Sequence, residues 1–324
     1  MSRFLIGGIL LAVVIGVLVW LNVSDDDQDG GEAASSTSTT APPAQTGPGV
    51  NVIDINAGTS LYLTPGSEPA WSPDGSQLAF TSEEDGQTGV YVIDAAGGAG
   101  GTFLTPGSGP AWSPDGSQLA FTSEEDGQTG VYVIDAAGGS GTFLTPGSGS
   151  AWSPDGSQLA FTAEEGGETG IYVIDGAGGT GTFVTLGSGA VWSPDGSQLA
   201  FTAEDNGETG IYVVDSAGGT GTFLTPGSSP AWSPDGSQLA LTVDAEGETG
   251  VYVVDAAGGT GTFLTPGSGP IWSPDGSQLA FTAEENGETG VYLIDSGGGS
   301  GTFLISGSDP IWSPDGSQIA FIQE

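Results

Sequence analysis

Residues 312–324 read WSPDGSQIAFIQE, and they decide the fold. The heptapeptide WSPDGSQ starts at Trp312 and also at Trp71, Trp112, Trp152, Trp192, Trp232 and Trp272. From each of the six earlier copies a full unit of 40 or 41 residues follows; residues 112–151 are WSPDGSQLAFTSEEDGQTGVYVIDAAGGSGTFLTPGSGSA. Runs such as Leu119–Thr122 and Val131–Ile134 are rich in β-branched and aromatic residues and lie between clusters of Gly, Pro, Asp and Ser. That is the pattern of short strands joined by turns. Glycine is too frequent for helices, and no ten-residue run of the repeat has helical periodicity. A period of this length built from short strands is that of a propeller blade.

Each unit supplies four strands: a around Ala111–Trp112, b over Gln118–Thr122, c over Val131–Ile134 and d over Thr142–Thr145. Ser-Pro-Asp-Gly turns the chain from a to b, because Pro fixes φ at the second turn position and Asp and Gly suit the next two. Acidic loops such as 123–128 join b to c, and Asp135–Gly139 joins c to d. The copy at Trp312 has strands a and b alone. Its missing half stands before the first WSPDG, where VNVID (50–54) aligns with c and LYLT (61–64) with d. The expected fold is therefore all-β: a seven-bladed propeller of four-stranded blades over residues 50–324. N-terminal c and d strands pair with C-terminal a and b strands, and the closed ring protects its sheet edges.

W-S-P-D-G, an apolar b strand, G-[VI]-Y-[VI]-[IV]-D, a glycine pair and F-L-T together resemble the TolB-like (WD-repeat-like) β-propeller repeat. The resemblance covers residues 50–324. It implies a β-propeller. Bacterial TolB proteins are periplasmic, work in the Tol–Pal envelope system and carry an additional N-terminal α/β domain. This chain has an apolar segment and a linker there instead, and Ser, Gln and Glu where family members commonly place Lys or Arg.

Phe4–Val23 carries no charge and is long enough to cross a hydrocarbon core of roughly 30 Å as a helix. Residues 1–23 are thus expected to form a transmembrane signal-anchor; a cleaved signal peptide is the competing reading, with no clear A-x-A site to support it. Arg3 before the segment and Asp25–Asp27 after it predict a cytoplasmic N-terminus and a periplasmic or extracellular propeller. Residues 24–49, acidic and then rich in Ser, Thr and Pro, read as a disordered linker.

The net charge is −39, and Arg3 is the sole basic residue. A binder of nucleic acid needs cations that the propeller lacks. With no His and no Cys, Ser-His-Asp and Cys-His chemistry, Cys/His zinc sites and disulfides are excluded. Carboxylates remain, but they recur with the blades and no pair is singled out, so no enzyme and no cofactor are expected. Calcium is the alternative use for them, since clustered carboxylates are hard oxygen ligands. Asp25, Asp27, Asp29 and Gly30 match the first half of a calcium loop, whose twelfth position is Ser36 rather than Glu. Glu124, Glu125 and Asp126, and likewise Glu284, Glu285 and Glu288, are candidates in b–c loops. The tryptophans are expected to pack between blades, and small residues such as Gly109, Pro110 and Ala111 to line the channel entrance. The function predicted is a protein-interaction platform at the cell envelope: a monomeric propeller, held to the membrane by its N-terminal helix, facing a basic protein partner. A cation-dependent adhesive or glycan-binding module and a carboxylate hydrolase are the alternatives.

Overall fold

The computed structural model describes residues 48–98, 100–205, 207–245 and 247–323. The apolar segment Phe4–Val23, most of the linker, and Asp25, Asp27 and Asp29 lie outside the described residues. Among those described, no helix is long and apolar enough to cross a membrane.

The described chain forms 28 strands in seven antiparallel sheets of four. Blade two shows the pattern: a is Ser108–Trp112, b is Gln118–Glu125, c is Gln128–Asp135 and d is Thr142–Pro146. Strands b and c are longer than their apolar runs because pairing continues through the charged residues, to Glu124 opposite Thr129 and Glu125 opposite Gln128. What reads as a six-residue loop is a two-residue turn, Asp126–Gly127, both at positive φ (53° and 77°), the combination that matches the twist of a hairpin.

The seventh sheet is the composite one. Gly49–Asp54 lies between Thr59–Thr64 and Gln318–Gln323, and Ser308–Trp312 completes the blade. Gly49 faces Gln323 and Asp54 faces Gln318, so the ordered pairing starts one residue before the expected boundary at Val50.

Adjacent residues of a strand point to opposite faces, and both faces of b and c are covered here. Leu119, Phe121, Tyr132 and Ile134 pack on Ala79, Val90 and Val92 of blade one. Ala120, Val131 and Val133 of the same blade pack on Leu159, Phe161 and Ile174 of blade three. Each blade thus sets its bulky side chains against the smaller ones of the blade before it. The seam obeys the same rule, with Val50, Val52 and Ala320 against Leu78, Phe80 and Ile93, and Ile53, Trp312, Ile319 and Phe321 against Ala280 and Val291.

The tryptophans add a directional tie. Each indole Nε1–H donates to the carbonyl just before the tryptophan of the preceding blade: Trp112 to Ala70 at 3.0 Å, Trp192 to Ala151 at 3.0 Å, Trp312 to Ile271 at 3.3 Å. The series closes on itself, since Trp71 donates to Ile311 at 3.2 Å.

Candidate functional site

The acidic residues fall into groups with different roles. In the Ser-Pro-Asp-Gly turn the Gly116 amide donates to the Ser113 carbonyl at 2.9 Å, as the turn chemistry requires. Asp115 Oδ1 accepts from the Ser113 hydroxyl (2.7 Å), the Ser117 amide (3.0 Å) and the Ser117 hydroxyl (2.8 Å). The buried Ser113 Oγ in turn accepts from the Gln118 amide at 2.9 Å. Donors that favour the ionised form, led by the Ser117 amide, hold the Asp115 carboxyl down to about 2. The arrangement recurs at Asp74, Asp155, Asp195, Asp235 and Asp275, each also at about 2. At the ends of strands c, Asp135 Oδ1 accepts from the Ala137 amide at 2.8 Å and Asp255 Oδ1 from the Ala257 amide at 2.8 Å. Apart from Asp295, whose Oδ1 accepts from the Gln278 side chain instead, these two rings of aspartates are fasteners for turns.

The b–c hairpins are different, because their exposed carboxylates accept from no turn amide among the described residues. Glu124 and Glu125 are neighbours in one strand and point to opposite faces. Glu125 accepts from the Tyr132 hydroxyl at 3.2 Å, while Asp126 sits at the turn. Glu284 and Glu285 divide in the same way; Glu285 accepts from Tyr292 at 3.3 Å and lies opposite Glu288 across the hairpin. Strand pairing thus splits each candidate calcium trio over two faces, and among the described residues no group of three or more His, Cys, Asp or Glu converges on one point. Burial, together with the Glu285 carboxylate, pushes the Tyr292 phenol up.

At the hub, where a strands of neighbouring blades touch, the second a-strand residue has positive φ in all seven blades: Glu68, Gly109, Gly149, Gly189, Ser229, Gly269 and Asp309, between 50° and 63°. The expected small residues occupy five of these positions, four as glycine and one as Ser229. Glu68 and Asp309 stand on the two blades that meet at the seam, in a backbone region that favours glycine. Glu68 accepts from the Thr81 hydroxyl (2.7 Å) and the Gly109 amide (3.0 Å). A cavity of 570 Å³ opens beside them, lined by Pro65, Ser67, Thr81, Glu83, Ile322 and Gln323.

One surface was not evident from the repeat. Phe103, Phe143, Phe183, Phe223, Phe263 and Phe303, at the same place in strand d, are 44 to 52% exposed. Each lies edge-on to the tyrosine of strand c, as Phe143 does to Tyr132 with centroids 5.3 Å apart. The c-strand glycine makes this possible, since a Cβ on Gly130 would fall 2.5 Å from Phe143 Cε2. The recurrence of that Gly and Phe, 14 residues apart in blade one and 13 in the other five, was the available signal.

No curated protein matches the sequence. Solved structures share the fold. A protein assigned as TolB from Agrobacterium tumefaciens is 23% identical, with a TM-score of 0.56 over 85% of this chain and 96% of that one. TolB from Acinetobacter baumannii is also 23% identical (TM-score 0.56, 80% of this chain), and the match spans 65% of its length. An oligogalacturonate lyase from Vibrio parahaemolyticus is 14% identical with a TM-score of 0.66, over 86% of this chain and 97% of its own. The sequence profile of the TolB beta propeller domain family matches residues 44–149, 183–266 and 221–324, well over half of the chain. With its repeat, its ring closure and its profile in agreement, the chain belongs to the TolB beta propeller domain family.

Proposed function

We propose that the propeller is a non-enzymatic binding platform of the cell envelope, and that its b–c face receives a basic protein partner. The observation that carries this reading is the placement of like charges. Glu165 lies directly opposite Glu168, and Glu285 opposite Glu288, in the hairpins. Such pairs are destabilising by roughly 0.2–1 kcal/mol each, and no cation of the propeller is present to offset them, because Arg3 is the only Lys or Arg in the chain. A partner's Lys and Arg side chains would relieve that repulsion and be steered to the face. The envelope setting is supported by the periplasmic family and by the uncharged Phe4–Val23 segment behind Arg3. In this setting that segment anchors the chain and leaves the propeller outside the cytoplasm.

The test is retention of envelope proteins by the full chain, compared with a variant carrying Glu83→Gln, Glu124→Gln, Glu164→Gln, Glu204→Gln and Glu284→Gln. The expected result is a partner released by salt and lost with the variant. Identical retention by both chains, or retention that ignores salt, would count against the reading.

A further inference from the structure

Blade five departs from its neighbours at two places that adjoin Tyr252. In the other complete blades the b-strand phenylalanine stacks on the c-strand tyrosine, as Phe121 does on Tyr132 at 5.6 Å. Blade five has the fully buried Leu241 there, and Tyr252 keeps only the edge contact to Phe263, at 5.3 Å and 68°. In four other blades a glutamate of strand b accepts the tyrosine hydroxyl, Glu84, Glu125, Glu165 and Glu285. Ala245 occupies that position in blade five. The first replacement removes the ring stacked on the tyrosine within the core, the second the acceptor of its hydroxyl, and beside Ala245 a groove of 610 Å³ is lined by Ala245, Glu248, Thr249, Tyr252, Phe263 and Pro266. Phe263 is 52% exposed, the most exposed of the six outer phenylalanines. The groove therefore joins two aromatic rings to an exposed carboxylate, Glu248.

We propose that this groove receives an arginine side chain of the partner, with the guanidinium plane on the exposed face of Phe263, Tyr252 beside it, and its N–H donors on Glu248. The ring faces carry the negative end of their quadrupole and attract a cation. Arginine suits the site better than lysine, because its planar, weakly hydrated fork stacks on rings and bonds a carboxylate at once. The chain's charge of −39 sets the sign of the ligand. The proposal rests on the platform reading and adds to it one contact point, on the outer rim of blade five.

The test is fluorescence anisotropy of a labelled peptide of alternating Arg and Gly, and of its Lys counterpart, with the full chain. It is run at low salt and at about 0.5 M salt, where diffuse attraction is screened within about 4 Å. At high salt the Arg peptide is expected to bind more tightly than the Lys peptide. Phe263→Leu and Glu248→Gln should each weaken it about fivefold, while Phe263→Tyr keeps the binding. Phe143→Leu, the same position on blade two where Gln128 replaces the glutamate, should change nothing. If Phe263→Leu and Phe143→Leu behave alike, if Lys equals Arg, or if binding persists at low salt alone, the groove is refuted and the platform reading stands. Peptide that fails to bind at any salt sinks both. Binding of maltohexaose that Phe263→Leu abolishes, with no effect on the Arg peptide, would make the groove a glycan site and overturn the proposal.

Discussion

Alanine at Gly101 and at Gly261 should shift stability in opposite directions, although the two glycines are the same position of the repeat. Each precedes strand d, of blades one and five, and neither has a left-handed φ. The backbone thus admits alanine at both, and the gain from a less disordered unfolded chain is about 0.4–1 kcal/mol. What differs is the space. A Cβ on Gly101 would fall 2.5 Å from Cζ of Phe80, a ring that is 1% exposed and stacked on Tyr91. A Cβ on Gly261 finds its nearest atom at 3.6 Å, Tyr252 Cδ1, because Leu241 does not reach as far as phenylalanine. Overpacking costs about 1–3 kcal/mol. Gly261→Ala should therefore stabilise by about 0.5 kcal/mol, and Gly101→Ala should destabilise by about 1–2 kcal/mol. Urea unfolding followed by tryptophan fluorescence reads both, with the slope unchanged. A cycle with Leu241→Phe sharpens the test. That change alone restores a stacked pair worth about 0.5–1.5 kcal/mol. Combined with Gly261→Ala it recreates the collision, so the double variant should fall short of additivity by at least about 1 kcal/mol. Additive behaviour, or the same sign for both alanines, would refute the account of blade five.

Other expectations follow from the ring and its charge. Trp71→Phe removes the indole bond to the Ile311 carbonyl across the seam and should cost about 1 kcal/mol in urea unfolding; no measurable loss would deny the indoles a role in closure. Asp115 and its five equivalents at about 2 bind protons less readily folded than unfolded, whose ordinary value is 3.8. Their stabilisation is complete above about pH 4 and is lost as pH falls toward 2; carboxyl NMR titration of Asp115 near 3.8 would contradict the turn geometry. Raising salt from about 10 mM to about 0.5 M shortens the screening length from about 30 Å to about 4 Å. The melting temperature should rise with it, and one that stays constant would mean that the exposed carboxylates do not repel.

The architecture was legible because closure leaves a mark in the sequence. VNVID before the first turn motif and WSPDGSQIAF after the last one are complementary halves, and only a ring brings them together. Ser-Pro-Asp-Gly was legible for a local reason, since turn type follows from the residues themselves. The hairpins were not. Glu124 and Glu125 look like loop residues by charge, yet they remain paired, because the hairpin tips are exposed and a carboxylate there keeps its water. Phe143 looks like a core residue by hydrophobicity, yet strand d is the last of its sheet, and one face of that ring meets solvent. Blade five was visible only as two letters, Leu241 and Ala245, whose effect depends on Tyr252 lying between them in space.

The pairing that closes the ring also sets how it opens under load. Gly49 and Gln323 lie side by side at one end of a ladder of six residue pairs, so a pull that separates the two ends of the propeller acts across the ladder. Force then falls on one rung at a time, as in a zipper, instead of on all rungs together in shear. Closure that makes every blade depend on its neighbours in solution is, for a load applied between the two ends of the propeller, the first joint to peel.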